Sequence, residues 1–298
     1  MKNKIVQANL CLIGAKVISG LNTNALKYLL PLWILPLSAV SLRCIFGTIV
    51  FWILSFLFPK DKLSTKDKIL LLLLGATFIY GYLFFFQIGL SKTTPVSSSI
   101  FASIQPIWVF IIAALFFHEK ISFMKVIGII IGFSGALLCI LTQQSSDLAS
   151  DAWTGNILCL LSSLAYAIYL TAEKIFLSKN IQVISILKYT FTGAAISSLI
   201  ATGIEGFHAP VLSIPIDWMP FSILLFVLIF PTILGYILMP MGLKYLKTTV
   251  VSIYGYLSLI IVVVVSLILG QDRFSWIQLS AVLLICGSIY FVEIAEKK

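Results

Sequence analysis

The chain has 298 residues, of which 60% are apolar and only 10% charged, and its mean hydropathy is +1.09. A soluble globular domain needs a polar shell that this composition does not contain, so lipid must be the solvent. The net charge of +9 suggests a nucleic-acid surface at first, but the positions of the basic residues argue against one.

A helical span needs about 20 residues to cross about 30 Å of hydrocarbon. Apolar segments of that order occur ten times, at 5–29, 33–58, 68–89, 94–117, 121–142, 154–178, 183–205, 218–241, 248–270 and 274–293. The predicted fold is an all-α membrane protein with ten transmembrane helices and no sizeable soluble domain. Lys16 interrupts the first apolar run, so that run reads as a helix rather than a cleaved signal peptide.

The first segment carries Lys16 near its middle, with Ser19 and Asn22 one turn apart beyond it. The second carries Arg43 about ten residues in, or about 15 Å deep at 1.5 Å per residue. No acidic residue of the first half lies at that depth. The planar fork of Arg43 either meets a carboxylate or phosphate of a solute, or bonds carbonyls and locks its helix. The third segment places Tyr80 and Gln87 on one face. The fourth starts at Thr94-Pro95, places Ser98 and Gln105 on one face, and contains Pro106. The fifth has the close-packing pair Gly128 and Gly132.

Beyond the 143–153 connection, the sixth segment carries Tyr166, Tyr169 and Glu173. Glu173 is the one carboxylate comfortably inside an interior span, which makes it a candidate for ion coupling. Its depth matches that of Lys188 in the seventh segment, and an ion pair across that hairpin is expected. The eighth segment holds Tyr236 between Pro231 and Pro240, and the ninth holds Ser252 and Tyr256 one turn apart. Pro106, Pro231 and Pro240 free carbonyls inside spans and are candidate hinges or fixed bends.

Basic residues cluster on alternate connections. With a cytoplasmic N-terminus, the inner segments hold Lys2, Lys4, Lys60, Lys62, Lys66, Lys68, Lys120, Lys125, Lys179, Lys244, Lys247, Lys297 and Lys298. The outer segments hold only Lys92 and Arg273, with Lys27 at the boundary. This asymmetry predicts that both termini are cytoplasmic, and it accounts for the charge without a nucleic-acid partner. The five cysteines, Cys11, Cys44, Cys139, Cys159 and Cys286, all fall in apolar spans without a CxxC pair and read as packing residues. The two histidines, His118 and His208, fall on opposite sides of the membrane and cannot share a metal. Neither a metal nor another cofactor is expected.

The two halves also resemble each other. A shift of 153 residues carries Gly89-Leu90 onto Gly242-Leu243, Ser99 onto Ser252, Glu119-Lys120 onto Asp272-Arg273, and Ser122 onto Ser275. Five helices per copy is an odd number, so the second copy enters the membrane upside down. The predicted organisation is a first repeat over 1–142, a connection over 143–153 and a second repeat over 154–298. Inverted repeats around a central cavity are the architecture of secondary transporters.

Four motifs follow in order within the first copy. Gly89-Leu90-Ser91-Lys92-Thr93-Thr94 resembles an A-L-x-y-t-s lead-in to a fourth helix, and Pro106 stands at a helix-four proline. His118-Glu119-Lys120 with Ile121-Ser122 resembles a g-E-x-l-s turn, and Gly128, Gly132 and Gly135 resemble a glycine-spaced fifth helix. Together they resemble the drug/metabolite transporter superfamily, in particular its ten-helix EamA-type members. The sequence departs from that pattern at Leu259, where the repeat would place proline, at Asp272 in place of Glu, at Ile18-Ser19-Gly20 in place of Trp-Gly, and at Ala281 and Ser288 in place of glycine. The resemblance implies transport of a small metabolite, often export, in the plasma membrane.

The residues narrow the solute class. Lys16 and Arg43 make the midplane electropositive, and Ser19, Asn22, Tyr80, Gln87, Ser98, Gln105, Tyr166, Tyr169, Tyr236, Ser252 and Tyr256 supply polar groups on aromatic walls. An amino acid or other carboxylate-bearing solute suits that lining. The expected partners are this solute and the bilayer, and the oligomeric state stays open, a monomer included. The alternatives are a polytopic membrane enzyme, which would need a catalytic His/acid cluster, and a receptor or scaffold without transport.

Overall fold

The computed structural model describes residues 2–58, 61, 63–117, 123–142, 149–246, 251, 254–280, 282–284 and 287. Its helices are α1 (Lys2–Leu29), α2 (Pro36–Ser55), α3 (Thr65–Lys92), α4 (Pro95–Ala102), α5 (Gln105–Phe117), α6 (Phe123–Thr142), α7 (Ala152–Ser178), α8 (Val183–Glu205), α9 (Trp218–Tyr245) and α10 (Gly255–Ile268). Six helical stretches among the described residues, Lys4–Leu29 of α1 together with α2, α3, α7, α8 and α9, are long and apolar enough to cross a membrane. Of the tenth predicted segment, 274–293, residues 281, 285, 286 and 288–293 lie outside the described residues.

Several helices begin where the sequence supplies a cap. Ser64 accepts from Asp67 N–H, Thr94 from Ser97 N–H, Asp151 from Thr154 N–H and Asp217 from Met219 N–H. Pro36 and Pro95 sit in first turns, where a missing N–H costs nothing.

The predicted segment 94–117 is two helices rather than one. Pro106 cannot donate to the carbonyl four residues back, and its ring would clash there, so α4 ends at Ala102. Ser103 closes the break by donating from its hydroxyl to Ser99 O at 2.9 Å. The other two candidate prolines lie in α9. Pro231 opens a π-helical stretch, Phe230–Gly235, and Pro240 sits inside the α-helical part that follows.

Two 28-residue helices, α3 and α9, are related by the same 153-residue shift, and each contains a π-helical stretch: Gly75–Ile79 in α3 and Phe230–Gly235 in α9. Both irregularities have local causes. Gly75 and Gly193 bring the backbones of α3 and α8 into direct contact, since a Cβ on Gly75 would lie 1.8 Å from Thr190 O and one on Gly193 1.9 Å from Leu72 O. Ser197 then donates to Ala76 O inside the π stretch at 2.9 Å. In α9 the missing N–H of Pro231 leaves Val227 O without its helical donor, and the Thr232 hydroxyl supplies one at 2.8 Å.

The ends of these two helices are held alike. Lys27 of α1 donates to Leu90 O at 3.2 Å and Thr93 O at 2.6 Å. Lys174 of α7 donates to Leu243 O and, at 3.0 Å, to Leu246 O, the 153-shifted positions. Each ammonium satisfies the open carbonyls of a helix C-terminus and opposes its partial negative charge.

The packing follows the same relation. α2 lies along α8, α3 along α7, and α1 against α9 and α10. A core built on Phe51, Phe191, Tyr169 and Tyr236 joins α2, α8, α7 and α9. Large apolar side chains on the perimeter, such as Leu32, Ile204 and Ile268, are exposed, as lipid-facing residues are.

Candidate functional site

Between these helices lies a cavity with two lobes that share Lys16, Ser19, Asn22, Tyr82 and Tyr166. The first lobe is completed from α3, α4, α5, α7 and α10, with Phe86, Ser99, Ser103, Gln105, Ser162, Ser163 and Leu259 among its walls. The second is completed from α2 and α9, with Arg43, Pro231, Gly235, Tyr236 and Met239.

One wall is an aromatic slab. Tyr82 stacks on Tyr166 with ring centroids 4.5 Å apart, and Phe86 and Tyr169 extend the stack at 6.0 and 6.1 Å. Two bonds back it: Ser162 donates to Tyr82 O at 3.1 Å, and Trp108 Nε1 donates to Ser163 Oγ at 3.0 Å. A rigid apolar face with polar edges suits a planar or amphipathic solute.

The polar groups facing the cavity divide into those already bonded and those that are not. Arg43 is 3% exposed and donates from Nε to Thr232 Oγ1 at 2.9 Å. This ties α2 to the π stretch of α9, and its terminal nitrogens carry no hydrogen bond among the described residues. Lys16 is 8% exposed and has no hydrogen-bond or ion-pair partner among them. Asn22 Oδ1, Gln105 Nε2 and the Tyr236 hydroxyl are also unpartnered and buried. No Asp or Glu is among the described lining residues. The cavity therefore offers two cations, Lys16 and the terminal nitrogens of Arg43, with two donors and an acceptor, that a solute can engage without breaking a bond among the described residues.

Glu173 lies behind the slab. It is fully buried, with Oε1 accepting from Tyr169 O–H at 2.8 Å and Oε2 unpartnered. Lys188 lies over the rings of Trp52 and Tyr189, 4.7 and 5.0 Å from their centroids. The expected Glu173–Lys188 pair thus gives way to a tyrosine one turn away on the same helix, because matched depth along two helices does not fix which way each residue faces.

A polar cluster bridges the two halves at one end of the molecule. Asp272 Oδ2 accepts from Val96 N–H at 3.2 Å, in the first turn of α4, and Oδ1 accepts from Arg273 N–H at 2.9 Å. Burial pushes the Asp272 carboxyl above the ordinary carboxylate value despite these donors. Nearby, Gln271 donates to Asn24 O at 3.0 Å, and Lys92 pairs with Asp151 at 3.2 Å. The Thr154 cap and Lys92 hold Asp151 below its usual value.

A family model described as the EamA-like transporter family matches residues 6–141 and again 153–294. The chain belongs to that family. It is 24% identical over 281 residues to the Uncharacterized transporter YyaM of Bacillus subtilis (strain 168), covering 93% of this chain and 90% of that one. It is 22% identical over 298 residues to YetK of the same organism, covering 98% and 86%. An Uncharacterized transporter of Archaeoglobus fulgidus is 31% identical over 160 residues, 54% of this chain and 55% of its own. A solved crystal structure superimposes with a TM-score of 0.63 at 16% identity, covering 97% of this chain and 96% of that one, which shows a shared fold.

In this EamA-like protein, a multi-pass membrane protein with transporter relatives, the cavity collects Lys16, Ser19, Asn22, Arg43, Gln105, Tyr166 and Tyr236 from the residues singled out by sequence. It does not collect four others. Tyr80 packs on Phe84. Gln87 is fully buried with both amide atoms unpartnered. Ser98 donates to Pro95 O. Tyr169 turns to Glu173. Ser252 and the side chain of Tyr256 lie outside the described residues. Sequence reasoning missed Tyr82, Phe86, Ser99, Ser103, Ser162 and Ser163. The i, i+4 pairs Tyr82/Phe86, Ser99/Ser103 and Ser162/Tyr166 carried the signal.

Proposed function

We propose that the protein is a secondary transporter of a small organic solute bearing a carboxylate or similar anionic group, such as an amino acid. The observation that carries this reading is Lys16, a buried cation without a partner among the described residues, on a wall shared by both lobes of a cavity with no acid among its described lining residues. A charge held that deep is costly unless something pairs with it. The aromatic slab beside it supplies the contact for the rest of the solute.

The reading extends to two inverted five-helix repeats, 1–142 and 154–298 joined by 143–153, that rock about the cavity in alternating access. The repeat-related π stretches and the matching lysine caps of α3 and α9 support it. Both termini lie in the cytoplasm of a plasma-membrane protein, and net flow is outward. Glu173 is the proton-coupling candidate, reached from the cavity through Tyr166 and Tyr169. The protein performs no enzymatic step and needs no cofactor.

The test is efflux from liposomes loaded with mixed amino and organic acids, with and without a proton gradient. Selective efflux of anionic solutes is expected. Lys16→Gln is expected to weaken their apparent affinity at least about tenfold, as loss of one charge-assisted bond would. Unchanged affinity in a correctly folded Lys16→Gln protein would refute the assignment.

A further inference from the structure

A second cavity lies outside the central one. It is a groove between α10 and the helical residues beyond Ser275, walled by aliphatic side chains including Ile260, Val263 and Leu279, with Arg273 at one end. Ile260 is 61% exposed and Leu279 39%. Exposed aliphatic walls in a membrane protein face acyl chains, so the groove opens to lipid. Its distance from the bilayer surface follows from helix geometry. From the turn that carries Arg273 back along α10 to Leu259 is about 14 Å, close to half the hydrocarbon thickness.

Among the described residues, Leu259 alone lines both this groove and the central cavity, and it is 2% exposed. Leu259 therefore forms part of the partition, with Val96 and Val263 of the same apolar cluster, between a lipid-open groove and the chamber that holds Lys16. The position has a counterpart in the first half. Pro106, related by the 153-residue shift, lies in the first turn of α5, and Leu259 lies in the second turn of α10, which begins at Gly255 after the turn at Tyr254.

We propose that the groove is a lateral portal and that the transported solute is an organic anion with an apolar tail, its head at Lys16 and its tail passing Leu259 into the groove. This rests on the transport reading above and narrows its solute class. Charge complementarity selects the occupant. Arg273 stands at the mouth of the groove and Lys16 in the chamber beyond it, no carboxylate lines either cavity among the described residues, and the path between them is aliphatic. An anionic head is attracted at both ends while its tail matches the wall.

The experiment uses the full-length protein in liposomes and radiolabelled alkanesulfonates from ethane- to octanesulfonate, which carry a permanent charge and cross bilayers poorly unaided. Competition constants in the wild type should tighten by up to about fourfold per added methylene, the factor for full burial of each CH₂. Val263→Phe fills the groove without lining the central cavity and should flatten that ladder. Leu259→Ala widens the portal and should raise octanesulfonate flux relative to ethanesulfonate. Flux with no ladder, or a ladder indifferent to both variants, would overturn the portal and leave the transport reading standing. A ladder that responds to Val263→Phe but not to Lys16→Gln would mark an acyl-chain groove for membrane lipid and overturn the portal equally. Absence of flux at every chain length beside retained efflux of the amino and organic acids would overturn the portal alone; absence of both would overturn the transport reading, and the portal with it.

Discussion

Thr232→Val isolates the junction that joins α2 to the π stretch of α9. The change keeps side-chain shape and removes one hydroxyl. That hydroxyl donates to Val227 O at 2.8 Å and accepts from Arg43 Nε at 2.9 Å, and the residue is fully buried. In water-soluble proteins a neutral bond contributes about 1 kcal/mol, and one to a charged group about 1.5–3. In membranes the unfolded reference state also finds partners, and measured side-chain bonds average about 0.6 kcal/mol with a maximum near 1.7. Two bonds lost together in a buried site should therefore cost about 1–3 kcal/mol. Thermal unfolding in detergent or nanodiscs reads this, with Thr232→Ser as a control that retains the hydroxyl. The mechanism also predicts a coupling. Pro231→Ala restores the N–H that Val227 O lacks, so the Pro231→Ala/Thr232→Val double variant should lose less than the sum of the single changes. If Thr232→Val costs under about 0.5 kcal/mol, or if the two changes simply add, then the hydroxyl is not what repairs the break at Pro231.

Two further outcomes rest on geometry already described. Gly75→Ala places a methyl group 1.8 Å from Thr190 O, a clash with backbone, and should destabilise by about 2 kcal/mol or more in chemical unfolding; Gly203→Ala, with nothing within 4 Å, should stay within about 0.5 kcal/mol of wild type. Because burial raises the Asp272 carboxyl above its ordinary 3.8, the folded state holds that proton more tightly than the unfolded chain does. Its contribution is greatest below 3.8 and is lost as pH rises through the folded value. The melting-temperature advantage of Asp272→Asn over wild type should therefore grow between about pH 4 and pH 6, and a shrinking gap would contradict the assigned direction.

Much of this architecture could be read from composition and period, and the exceptions are instructive. Six of the ten predicted spans stand as helices long and apolar enough to cross a bilayer, and their order follows from apolar length, which the bilayer enforces. The break at Ser103 was implicit in Pro106, four residues beyond the end of α4, but apolar length does not register a missing N–H. On α3 the sequence offers two faces after the π stretch, one with Tyr80 and Gln87, the other with Tyr82 and Phe86. Periodicity cannot choose between them, because Gly75–Ile79 uncouples the phase of the second half from the first. Lys16 and Arg43 stood out because a charge at mid-depth has few explanations. The binding partners of Lys27 and Lys174 did not, because backbone carbonyls leave no trace in a sequence.

The twin lysine caps also bear on which way the molecule rests. Were the two ends held by identical devices, opening one would cost as much as opening the other, and neither orientation would be favoured. The match is incomplete: Asp272 attracts Lys27 electrostatically, whereas no charged group among the described residues perturbs Lys174. The two latches are therefore unequal: Lys27 has two carbonyls and a carboxylate in reach of its charge, Lys174 three carbonyls. In the rocking carrier proposed above, unequal latches set a resting bias that the solute must supply differential affinity to overcome.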